Sequence, residues 1–168
     1  MPAPFVALAM LAAAPSSHPN LFCDALQRAA AGAASGFVAV RGPLVAEAGA
    51  RALQVYRVRV ALPDATDCSV TVRYGPGQGP PVYGCTFSGG VDVRRAMGRL
   101  VRRTARCVRI GIGNPPRLKE GRDGPSFYFP SGIARFDFSA APAKGRPGLW
   151  TVTLIISKGP NQPRRPFA

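Results

Sequence analysis

The sequence predicts an α+β domain, an antiparallel sheet with two helices packed on one face, in the order α-β(3-4)-α-βββ. Three observations predict it. Residues 53–62, 68–74, 82–87 and 149–157 alternate apolar and polar side chains, as half-buried antiparallel strands do. Residues 21–35 and 91–110 repeat apolar side chains with helical period instead. Gly and Pro number 19 and 18, enough to punctuate many short elements with turns. A chain of 168 residues with 46% hydrophobic and 18% charged residues fits one globular domain with a full core.

Taken in order, Asn20 is placed to cap a first helix that runs to about residue 35 and stops at Gly36. Phe22, Leu26, Ala29 and Ala33 form its apolar line. Residues 37–41 read as a short strand, followed by a Gly/Ala/Pro loop. In the strand at 53–62, Tyr56, Val58, Val60 and Leu62 face inward and Arg57 and Arg59 outward. A turn at 63–67 leads to the strands at 68–74 and 82–87, which are joined by a loop at 75–81. Ser88, Gly89 and Gly90 read as a strand break, and Asp92 as an acid in the first turn of the second helix. A long loop over 111–125 precedes strands at 127–129, 133–139 and 149–157. In the last of these Trp150, Val152, Leu154 and Ile156 form the inward face. Each half is thus one helix followed by three or four strands, consistent with a degenerate αβββ duplication. The order resembles that of type III secretion chaperone-like folds, in topology and not in motif, so the resemblance implies an architecture and no activity.

Residues 5–14, FVALAMLAAA, are too short to span a bilayer and suit the apolar region of a signal peptide. Small residues at Ala12, Ala13 and Ala14 offer a cleavage site before Pro15. The division expected is a signal peptide at 1–14, a single domain at 15–158 and a flexible Pro/Arg-rich tail at 159–168. The expected location is periplasmic or secreted, with the cytoplasm as the alternative if the segment is not a signal. No later stretch is long enough for a transmembrane helix.

Four cysteines in an exported chain favour two disulfides, and three connectivities are possible. Cys68 alternates with Val70 and Val72, and Cys85 with Tyr83 and Phe87. A hairpin near Gly77 makes Cys68 and Cys85 diagonal neighbours on one face. That favours Cys68–Cys85 and leaves Cys23–Cys107 to tie the helices. Zinc is disfavoured, because no CxxC pair occurs.

Motifs for catalysis are sparse. The one histidine, His18, lies just beyond the expected cleavage site, a poor place for a base that the fold must hold. Asp64 with Asp67 and Glu120 with Asp123 are the close carboxylate pairs, and both sit in turn-like segments where Asp bonds to nearby backbone. Residues 75–80 lack the Lys-Ser/Thr of a phosphate loop, and Pro116 stands where a dinucleotide motif needs Gly.

Charge is the remaining signal. The net charge is +14 and acids total eight. Residues 91–110 hold seven arginines against Asp92 alone. At about 100° per residue, Arg95, Arg99, Arg102, Arg106 and Arg109 share one side of a helix. Val93, Met97, Leu100, Val101, Thr104 and Val108 share the other. Like charges in such a row repel, and an anionic partner relieves the repulsion. The expectation is a non-enzymatic, exported basic domain without a cofactor. It binds an anionic envelope polymer or an acidic protein through Arg95, Arg99, Arg102, Arg106 and Arg109. Arg57, Arg59 and Arg73 are candidates to extend the patch. Nucleic acid ranks lower, because the aromatic residues alternate inward rather than lying among the arginines. The alternatives are a chaperone-like, dimeric interaction module using an open sheet face, and an enzyme whose site is not legible.

Overall fold

The computed structural model describes residues 20–49, 52–76, 79–112, 117–121, 124–130 and 134–159; for 20, 109–112, 117–121 and 124–130 it describes the backbone path alone. The expected signal segment and His18 lie outside the described residues, as does the tail beyond residue 159.

Among the described residues, eight strands form one antiparallel sheet: β1 (Arg41–Ala48), β2 (Leu53–Val58), β3 (Asp67–Arg73), β4 (Val82–Gly90), β5 (Arg117–Gly121), β6 (Gly124–Pro130), β7 (Ala134–Pro142) and β8 (Trp150–Lys158). Helix α1 (Asn20–Gly32) precedes the first four strands and α2 (Val93–Ile112) the last four. The sheet order is β1-β2-β3-β4-β8-β7-β6-β5. Each half is a helix and a four-stranded meander, and the halves meet through their last strands. Four strands thus follow α1, within the expected three or four, and four follow α2, one more than the sequence suggests.

Side-chain alternation decides the layers. Tyr56, Val70, Tyr83, Ile156 and Phe136 stand in one row across five strands. Cys68, Cys85, Leu154 and Phe138 form the next row. Apart from the half-buried Tyr56, every residue in these rows is buried. Both helices lie on this face, with α2 against β4, β8 and β7. Phe22, Leu26 and Ala29 of α1 and Met97, Leu100, Val101, Cys107 and Val108 of α2 close the core. Each large apolar side chain buried this way contributes about 1.5–3 kcal/mol. Tyr83 is buried by its ring and donates its hydroxyl to the Val60 carbonyl at 2.7 Å. Burial pushes that hydroxyl's pKa well above its ordinary value, which keeps it a donor.

Four local expectations are corrected. Residues 36–40 are a turn, not a strand: Gly36 and Phe37 both have positive φ, 66° and 65°, and the chain reverses there after a short 3-10 turn. The strand begins at Arg41, where the expected one ends, and runs through the expected loop to Ala48; it is exposed from Pro43 onward, so it shows no alternation. Ser88, Gly89 and Gly90 do not break β4. The strand runs to Gly90 with a register shift against β8, and a side chain at Gly89 would meet the Trp150 carbonyl oxygen at 2.9 Å. Residues 117–121 are strand β5 where a continuous loop was expected.

Two disulfides close the fold, Cys68–Cys85 and Cys23–Cys107. Cys68 and Cys85 stand directly opposite each other in the β3–β4 ladder rather than diagonally. Cys23–Cys107 joins the helices across 84 residues. By loop-closure entropy, removing it as C23A/C107A costs about 4.5 kcal/mol, and removing Cys68–Cys85 about 3 kcal/mol. Urea unfolding of the two variants checks both the ranking and the size. Thr104 lies in the middle of α2's buried arc, fully enclosed, and its hydroxyl has no partner among the described atoms. Thr104→Val is expected to raise unfolding free energy by about 1 kcal/mol, measured the same way.

Candidate anion-binding face

Helix α2 divides cleanly by azimuth. Ala96, Met97, Leu100, Val101, Thr104, Cys107 and Val108 are buried, and Val93 is half-buried against the same core. The opposite arc holds Arg95, Arg99, Arg102 and Arg106, all exposed. Since the apolar arc must rest on the sheet, the arginine arc must face outward. Arg109 continues the row along the backbone, and its side chain lies outside the described residues.

Among the described residues two carboxylates pair with arginines of this helix, one at its start and one on a flank. Asp92 precedes α2 and accepts a hydrogen bond from the Arg95 backbone N–H at 2.9 Å, so it caps the helix from outside the first turn. Its other oxygen is 3.4 Å from the Arg95 guanidinium. On the flank nearest α1, Arg103 pairs with Asp64 at 2.6 Å and stacks over the Phe22 ring at 4.1 Å. Arg99, Arg102 and Arg106 have no carboxylate partner among the described residues. The Arg102 guanidinium lies back over the helix at Gly98, where an added Cβ would sit 3.3 Å from it. An alanine there would crowd the guanidinium.

Arg57 and Arg73 do not extend this patch. They stand opposite Ser69 and Leu53, on the sheet face away from the helices, so they belong to a second surface. Arg59 is exposed just beyond β2. That second surface carries the rows Val55–Thr71–Val82–Ser157–Arg135 and Arg57–Ser69–Gly84–Ile155–Asp137. A cleft of about 520 Å³ opens on it, with Val82 and Ile155 among its apolar walls, Thr71 and Ser157 supplying hydroxyls, and Arg73 and Lys158 supplying charge. Asp137 binds Arg135 there at 2.7 Å. Sequence reasoning missed this cleft. Its one sequence signal is the Ser/Thr run at alternate positions of β3 and β8.

Of the two carboxylate pairs, Asp64 with Asp67 is the one whose side chains are described. Asp64 is held by Arg103, Asp67 is exposed at the start of β3, and the side chains of Glu120 and Asp123 lie outside the described residues. Among the described residues no group of three His, Cys, Asp or Glu side chains is placed to hold a metal ion. No described helix is long and apolar enough to cross a membrane.

Asp64 has a φ of 68°, a conformation that Asn adopts readily. Asp64→Asn therefore keeps the turn and releases Arg103. The expected outcome is a stability change below about 1 kcal/mol, since the pair is exposed. Heparin affinity is expected to rise about two- to fivefold, read by calorimetry at low salt.

In comparisons with known proteins, no family model, no curated sequence and no solved structure matches this chain.

Proposed function

We propose that this chain is an exported, non-enzymatic basic domain that binds an anionic component of the cell envelope, or an acidic partner, through the arginine face of α2. One observation carries the reading: Arg99, Arg102 and Arg106 are exposed in a single row, and the neighbouring acids, Asp92 and Asp64, are engaged with Arg95 and Arg103 instead. A row of uncompensated guanidinium groups destabilises its own helix unless an anion covers it. The two disulfides favour an oxidising compartment, and the apolar segment ending at Ala12, Ala13 and Ala14 supports export.

The cleft on the open sheet face favours a second reading, a module that docks a protein there. The two separate by salt and by variant. The quadruple variant R95Q/R99Q/R102Q/R106Q is expected to weaken binding to heparin, and to vesicles containing phosphatidylglycerol, by about 30- to 100-fold at low salt. Wild-type affinity should fall steeply between low and physiological salt. R73Q/K158Q should leave it unchanged within about twofold. Binding that ignores salt and the quadruple variant, and is lost with R73Q/K158Q, assigns the function to the sheet face instead.

A further inference from the structure

We infer that the anion bound by the α2 face is a linear phosphate polymer without bases, lying along the helix axis. The inference rests on the reading of that face as the binding surface. Arg95, Arg99, Arg102 and Arg106 follow one another at steps of four, three and four residues. At about 1.5 Å of rise per residue the steps are about 6, 4.5 and 6 Å, and the row is about 16.5 Å long. Eleven residues turn the helix through slightly more than three full turns, so the row ends within about 20° of where it began. The charges therefore line up along the axis instead of winding around it.

This geometry selects the shape of the ligand. A compact anion lying on a convex, exposed row touches one or two guanidinium groups. A chain with regularly spaced charges touches all of them. The cleft described above lies on the opposite side of the sheet, so it does not enclose a small ligand at the arginines. Guanidinium groups suit phosphate because their planar fork donates two parallel hydrogen bonds to it. Among the described residues the row also lacks a stacking platform. Gly98 and Ala105 flank it on one side, and on the other the Phe22 ring is buried beneath Arg103. A strand that carries bases gains nothing from them here.

The test uses the disulfide-intact protein and inorganic polyphosphate. Affinity is measured at low salt for triphosphate, for a chain of about 15 phosphates and for one of about 50. The expected result is a rise of at least about 100-fold from triphosphate to the 15-phosphate chain, then little change per bound protein. The charge-conserving variant Q27R/R102Q moves one arginine from the row to an exposed position on α1. It is expected to lose long-chain affinity as fully as R102Q alone, because position and not net charge matters. Four outcomes overturn the inference. Triphosphate binds as tightly as the long chains. Q27R/R102Q binds them like wild type. Oligothymidylate of equal charge binds more tightly than polyphosphate. Phosphatidylglycerol vesicles bind while polyphosphate does not. In the last case the arginine face keeps its role and only the linear polymer is lost. Absence of binding to polyphosphate, heparin and vesicles alike removes the underlying reading as well.

Discussion

The pairing of β4 with β8 holds the two halves of the molecule together. These strands lie some 70 residues apart in sequence, yet they share a ladder from Val82 opposite Ser157 to Gly90 opposite Trp150. Cys85 opposite Leu154 sits near its middle, under the helix layer. Because the halves join here, α2 has a continuous apolar floor from β4 through β8 to β7. Once that floor exists, the 3.6-residue period of α2 leaves no freedom about where its arginines go.

How far the sequence reveals this depends on how each element is buried. β3, β4 and β8 are apolar on one face and polar on the other, so period two shows them plainly. α2 is legible for the same reason at period 3.6, and Asp92 marks its start. Alternation also puts Cys68 and Cys85 on facing strands, so their pairing follows from the residue pattern. β1 escapes because an exposed edge strand has no face to bury. Phe37 misleads because its apolar side chain fills the core from a positive-φ turn. The glycines after Ser88 read as a stop, although they admit the Trp150 backbone. The cleft is invisible because Thr71, Val82 and Ser157 become neighbours only when three strands assemble.

The charge distribution is a matter of where the few acids go. Asp92 caps α2, Asp64 holds Arg103 and Asp137 holds Arg135. Glu47 accepts from Gln54, which in turn accepts from Tyr56 beneath Arg41. Each of these acids acts locally, at a turn, a cap or a strand, and on the outer arc of α2 they reach Arg95 but not Arg99, Arg102 or Arg106. The repulsion left there is tolerated because the opposite arc is packed and Cys107 ties the helix to α1.

The disulfide pattern has a consequence for how the chain is made. The cysteines pair first with fourth and second with third, so one bridge is nested inside the other. A chain oxidised in the order in which its thiols emerge would join Cys23 to Cys68, and that link would hold α1 against the wrong partner. Native pairing therefore requires Cys23 to stay reduced until α2 has been delivered, or a later thiol exchange to undo the early bridge. Biosynthesis of this small domain thus depends on the timing of oxidation as much as on the sequence that folds.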